Sequence, residues 1–507
     1  MFCPTALALA LLGTLSTAAA APLTAQTING TYAGVHSVKF NQDFFLGIPY
    51  LQAPIGDRRF HPADSLTDTW NGTRNATSYA PSCVGYSTAN EPEIMSEDCL
   101  YLNIIRPHGI SNTSSLPVAV FVHGDDFAGG SASEPQYNLS YIVDKSVEIN
   151  QPMIALSFNH RLSAWGFLFS NQLRDTGATN IGLRENIAGF GGDPGKVTLW
   201  GQGSGATSVG FQITAYAGRN DSLFRGAIMH SGNPVPERGL NGTQFFQPFY
   251  DEIARRVTPT SGYKRENDMG DSDTCFDAVD RMGNWYPVID GDTVPEQPSR
   301  SRYTGKKYLK VPIILGAATD EGLHYMPEST NITKDAEFID LVANPQSYGV
   351  APGIALPSIL VRQLTDGYAN VSSSPHEKAQ LYQGDATINA NRRQACATWS
   401  RANISTYCYR FDVPLHGQEQ AQHGNDLPFV FANTEGQGLL GQNLKALAND
   451  ISSSWVSFIA TLDPNAWRKQ NAQNATSVTP AWPKYGSGKS MVFQSNGTSH
   501  VEQDNGG

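Results

Sequence analysis

"KVTLWGQGSGATSVGFQIT", residues 196–214, decides the fold of this 507-residue chain. Residues 196–200 read as a short apolar strand, the next five as a turn of small residues, and the remainder as a helix. Four further runs resemble its first part: "PVAVFVHG" (117–124), "MIALSFN" (153–159), "AIMHSG" (227–232) and "VPIILG" (311–316). Each is continuously rather than alternately apolar, as a strand covered on both faces must be, so together they predict the centre of a largely parallel sheet. Helix-capable stretches lie between them, which gives an α/β order. No internal repeat or long linker divides the chain. Turn-rich stretches around 233–308 and 328–405 are expected to be helical excursions over one end of the sheet.

The composition is that of a globular protein, with 40% hydrophobic and 16% charged residues. A formal net charge of −11 without a basic patch argues against a nucleic-acid partner. The apolar stretch at 6–15, followed by alanines, reads as a secretory signal cleaved near Ala20 and is too short to span a membrane. A soluble, secreted protein without integral membrane contact is expected. Close cysteine spacing favours bridges Cys83–Cys99 and Cys396–Cys408, leaving Cys275 over. Sequons occur at Asn29, Asn71, Asn75, Asn112, Asn138, Asn220, Asn241, Asn331, Asn370, Asn403, Asn474 and Asn496, compatible with a glycosylated surface. No His/Cys/Asp triplet stands at ligand spacing in the sequence, so neither a metal nor a cofactor is expected. "GSGATSVG" (203–210) is glycine-rich but lacks the lysine of a phosphate-cradling loop.

A nucleophile elbow, G-x-S-x-G between strand and helix, carries its reactive side chain at the apex and glycines where side chains would collide. Here Gly201 and Gly205 are the flanks, and the apex is Gly203, which has no side chain. Ser204, one residue on, points about 100° away on a helix. It is a poor candidate nucleophile and a better structural or helix-start residue.

The chain resembles the type-B carboxylesterase and lipase family over nearly all of its length. The resemblance rests on "FLGIPYLQAPIGDRRF" (45–60), "SEDCLYLNI" (96–104), "FGGDPGKVTLWG" (190–201), "ATDEG" (318–322), "HGNDLPFVF" (423–431) and "WPKY" (482–485), in family order. It implies an α/β-hydrolase fold, a large mostly parallel central sheet flanked by helices, with residues 21–507 as one domain. By similarity Cys83 and Cys99 form the family's N-terminal bridge, Glu321 is the triad acid, His423 the triad base, and Gly203 stands at the nucleophile position. The family's glycine-rich oxyanion loop corresponds to "HGDDFAGG" (123–130), with Asp125 and Asp126 at two of its glycines and Ser204 supplying a further N–H. Between residues 180 and 194 about ten residues, nearly three helical turns, are missing relative to the family pattern. Either a helix beside the elbow has been lost or the gene model omits it.

The resemblance therefore implies a pocket for a hydrophobic ester-like small molecule, served by a broken serine apparatus. Three readings fit these residues. The first is an esterase-type protein with impaired hydrolysis. The second is a repurposed isomerase, cyclase or lyase using His423 and Glu321 for proton transfer, with Asp125 and Asp126 as further candidate acids. The third is a non-catalytic binding protein in which that dyad is inherited.

Overall fold

The computed structural model describes residues 23–86, 94–110, 114–180, 193–235, 246–248, 250–251, 254–255, 285–300, 305–326, 330–348, 350, 356–415, 417–434, 442–470 and 477–504. The expected leader, Cys275, most of the shortened 180–194 segment, much of the 233–308 excursion and the sequons at Asn112, Asn241 and Asn474 lie outside them.

Eleven strands form the main sheet. In chain order they are β1 (Val35–Ser37), β2 (Gln42–Pro49), β3 (Tyr101–Pro107), β4 (Val118–Val122), β5 (Ile154–Phe158), β6 (Val197–Gln202), β7 (Gly226–His230), β8 (Ile313–Ala318), β9 (Thr406–Asp412), β10 (Lys489–Gln494) and β11 (His500–Gln503). Their spatial order is β11-β10-β9-β8-β7-β6-β4-β5-β3-β2-β1. The middle of the sheet, β4 to β10, is parallel. The strands beyond it, β1–β3 and β11, pair antiparallel. All five apolar runs became adjacent strands of the parallel centre.

Their continuous apolar character has a direct cause in the packing. Along β4, Ala119 and Phe121 enter the core on one face while Val118, Val120 and Val122 enter the core on the other. The period-two alternation of a strand thus needs apolar residues at every position when both faces are covered. Helices α1 (Ser140–Glu148) and α4 (Gln442–Thr461) cover the first face through Ile142, Val143, Ile451, Trp455 and Ile459. Helices α2 (Ser204–Thr214) and α3 (Ala390–Arg401) cover the second through Val209, Ile213 and Trp399. A disulfide ties Cys396 on α3 to Cys408 on β9, and another joins Cys83 to Cys99.

The 328–405 region contributes helices Asp335–Ala343, Ser358–Gly367 and Pro375–Gly384. These close on a small core of their own that includes Phe338, Leu341, Val361 and Tyr382. Of the described sequons, Asn71, Asn75, Asn220, Asn331, Asn370, Asn403 and Asn496 are exposed, and Asn29 and Asn138 are half-buried. No described helix is long and apolar enough to cross a membrane.

One close approach ties the sheet to the site above it. Gly316 on β8 lies opposite Tyr409 on β9, and a Cβ there would fall 1.8 Å from the tyrosine ring. The ring has no room to swing, because its hydroxyl donates to Asp426 at 2.6 Å. Gly316→Ala is therefore expected to overpack the core and cost about 3 kcal/mol. Chemical denaturation of the purified variant beside the wild type measures that loss.

Candidate active site

Crevices in open α/β sheets form at the carboxyl ends of strands whose connections run in opposite directions. In this sheet that point lies between β4 and β6, since β5 flanks β4 on the other side. The loop after β4 begins with His123, and the turn after β6 is Gly203. Two of the sequence-predicted segments are thereby brought together at one crevice.

Gly203 joins β6 to α2 with φ 56° and ψ −125°, a left-handed φ that a side chain makes costly. The flanking glycines are fixed by contact: a Cβ on Gly205 would lie 2.2 Å from the Val122 carbonyl oxygen, and one on Gly201 2.4 Å from that of Gly205. At Gly203 the nearest neighbour is different in kind. A Cβ there would stand 3.2 Å from Nε2 of His423. The apex is aimed at an imidazole, yet it bears only hydrogen.

His423 lies on the turn following β9, with its side chain 13% exposed. Its Nδ1 meets Glu321 Oε2 at 2.6 Å, and Glu321 is fully buried just after β8. The other glutamate oxygen accepts from the Ser231 hydroxyl and the Ala318 N–H, both at 2.6 Å. Burial alone would lower the pKa of His423; the adjacent Glu321 charge and hydrogen bond outweigh it and raise the pKa above the ordinary histidine value. The Nε2 is occupied as well. Gln202 presents its amide nitrogen at 2.8 Å, while its oxygen accepts from Tyr137 at 3.0 Å. With the amide assigned in this sense, Nε2 is an acceptor and the imidazole carries its proton on Nδ1, toward Glu321.

A second imidazole, absent from the sequence-based candidates, joins the cluster. His324, in the one-turn helix Gly322–Tyr325, stacks on His423 with centroids 4.4 Å apart and planes 12° from parallel. Its Nε2 lies 3.7 Å from Asp126. Its place after the "DEG" segment carries no periodic signal that would have marked it.

The loop after β4 keeps a glycine-like path without the glycines. Asp125, Asp126 and Phe127 have φ values of 83°, 53° and 61°. Both aspartates are exposed. Three consecutive left-handed residues are held partly by Asp125, whose carbonyl accepts from the N–H groups of Ala128 and Gly129. Phe127 anchors the far side among Phe167 and Tyr286, each 5.0 Å away. The buried Ser204 hydroxyl accepts from the Phe127 N–H at 3.3 Å. That contact ties the start of α2 to the loop.

Beneath the dyad lies a network that spacing did not reveal. His230 ends β7, donates from Nδ1 to Asp426 at 2.8 Å, and receives the indole N–H groups of Trp200 and Trp455 on Nε2 at 2.7 and 2.9 Å. Asp426 sits three residues after His423. Residues 230 and 231 therefore hold the base-bearing turn and the acid, and the His230 carbonyl accepts from the Gly203 N–H at 2.9 Å. His123 and His160 stack with centroids 4.5 Å apart; burial pushes His123 down to about 4 and His160 well below its ordinary value. Both are neutral packing groups at physiological pH.

The carboxylesterase family model matches residues 19–505. The chain is similar to lipase 5 of Diutina rugosa, 32% identical over 94% of this chain and 92% of that one. It is also similar to secreted lipase 1 of Botryotinia fuckeliana, 29% identical over 88% of this chain and 85% of that one. Among solved structures, the carboxylesterase EST55 of Geobacillus stearothermophilus superposes with a TM-score of 0.77 at 26% identity, covering 95% of this chain and 98% of that one.

Proposed function

Because the chain belongs to the carboxylesterase family, and on that premise, we propose that it is a secreted α/β-hydrolase protein that takes a hydrophobic ester-like small molecule without running an acyl-enzyme cycle. The observation that carries this reading is the apex aimed at His423 Nε2 without an oxygen to deprotonate. Covalent catalysis requires a nucleophile within hydrogen-bond reach of its base. Ser204 does not supply it: its hydroxyl oxygen faces the Phe127 N–H, while the position facing His423 Nε2 is the apex at Gly203. The hydrophobic ligand rests on the family's relatives, which are named lipases. Extracellular location draws support from the leader-like first twenty residues and from the secreted relative; exposed sequons favour N-glycans.

The expected result for purified wild-type protein is saturable binding of p-nitrophenyl butyrate in calorimetry with no p-nitrophenol release above the His423→Ala background. Labelling of any side chain by an organophosphonate would refute the reading.

A second reading has a specific observation in its favour. The His423–Glu321 pair is intact and a second imidazole, His324 beside Asp126, stacks against it. Two imidazoles with separate carboxylates can take and return a proton on one bound molecule. In that event the protein is an isomerase, cyclase or lyase: His423→Ala abolishes conversion and Ser204→Ala spares it. A binding protein shows neither effect.

A further inference from the structure

At the edge of the sheet remote from this pocket, three strands bring together residues that are far apart in the chain. His36 on β1 pairs directly with Asp43 on β2, and Asp43 pairs directly with Arg106 on β3. Directly opposed residues share a face of the sheet, and so does a residue two further along. That rule places His108, two beyond Arg106, beside the same carboxylate; its N–H donates to the Asn41 carbonyl, which continues the pairing past the end of β3.

Both imidazoles turn Nδ1 to a single oxygen of Asp43. His108 Nδ1 is 2.7 Å from Oδ1 and His36 Nδ1 is 3.3 Å from it. The three candidate ligand atoms all lie within 4.8 Å of one another. Asp43 is 2% exposed, while the histidine side chains are 35% and 51% exposed, so a buried anion is reached from solvent between two rings. The rings are 4.3 Å apart and inclined by 57°, leaving their edges convergent.

We propose that His36, Asp43 and His108 form a binding site for a divalent ion of the zinc type. Tetrahedral zinc with bonds of about 2.0–2.1 Å separates its ligand atoms by about 3.3 Å. The His36–Asp43 separation already has that value, the His108–Asp43 separation reaches it with a side-chain shift of roughly half an ångström, and the two imidazole nitrogens, within 4.8 Å of each other, close by at most about 1.5 Å through rotation of the two exposed rings. Two nitrogens and one oxygen suit zinc, nickel or copper and are a poor set for magnesium or calcium. Arg106, 3.7 Å from the second Asp43 oxygen, offsets part of the carboxylate charge and weakens binding of every divalent ion alike, so the two nitrogens set the preference. A water from the exposed side fills the fourth position. Four strand spacings, roughly 19 Å, separate β1 from β4, so the ion is structural: it clasps the edge strand to the third strand.

The triplet has no signature in linear spacing, because the three residues converge only through strand register. The test uses the full chain, stripped with EDTA, dialysed and titrated with zinc chloride in a calorimeter. Wild type is expected to bind one more equivalent than the His36→Ala/His108→Ala variant, or to bind the same equivalent at least about tenfold more tightly. Zinc is likewise expected to raise the melting temperature of wild type more than that of the variant. Both replaced side chains reach solvent and Asp43 keeps its contact with Arg106; circular dichroism verifies that the variant folds. Identical zinc titrations of the two proteins, or no binding to wild type, would overturn the site.

Discussion

Gly203→Ser is expected to raise kcat/KM for p-nitrophenyl butyrate by about a thousandfold over the wild-type chain. The magnitude follows from two opposed contributions. Restoring a nucleophile to an otherwise intact triad recovers up to about 10⁶ in rate. Side chains on the left-handed oxyanion loop, taken as equivalent to one poorly placed donor, remove roughly 3 kcal/mol, or about 10² to 10³, from that recovery. The new side chain would point at His423 Nε2, where its Cβ stands 3.2 Å away, and its hydroxyl would displace the Gln202 amide. Asp125 and Asp126 add exposed carboxylates to the loop that corresponds to the family's oxyanion loop, so adding Asp125→Gly and Asp126→Gly is expected to return about another hundredfold. Esterase kinetics and stoichiometric capture of an organophosphonate measure the outcome. A folded Gly203→Ser protein that stays inert with both glycines restored would show that more than the nucleophile has been lost.

Asp426→Ala carries the largest expected loss of stability, about 3–5 kcal/mol, because it strips a buried histidine and a buried tyrosine of one shared partner. The carboxylate accepts from His230 at 2.8 Å and from Tyr409 at 2.6 Å, and both partners are fully buried. His230 cannot escape by changing tautomer, since two indole N–H groups require Nε2 as an acceptor. Burial by itself would raise the pKa of Asp426; the His230 interaction and the Tyr409 hydrogen bond overcome it and hold the pKa below the ordinary aspartate value. The sign of the pH dependence follows. A group with a depressed folded-state pKa contributes its stability fully above the unfolded value of about 3.9 and loses it as pH falls through the lower folded value. Wild type is thus expected to lose stability below about pH 4 more steeply than Asp426→Asn, as read from melting temperatures across an acid series.

The parallel centre of the sheet was legible because burial on both faces leaves no polar position in a strand; "PVAVFVHG" and "VPIILG" state this openly. The glycine-flanked turn at 201–205 was legible because close backbone contacts exclude side chains. Pairing His423 with Glu321 needed family resemblance, since they are 102 positions apart. Other features had no linear signature. His324 reaches His423 only through the one-turn helix that follows Glu321. The left-handed path of residues 125–127 contradicts local preference and persists through its surroundings, with Phe127 packed among aromatic rings. The Gln202 contact depends on rotamer, and the histidines at 36 and 108 meet through strand register.

Residues 230 and 231, at the end of β7, brace the proton-transfer pair from below, one gripping each limb. Any displacement of this strand tip carries both limbs along as a rigid carriage, so their mutual alignment outlasts erosion of the outer walls. A lineage could therefore discard its attacking oxygen and reshape the entrance while the proton-handling couple stayed tuned, ready for another chemistry.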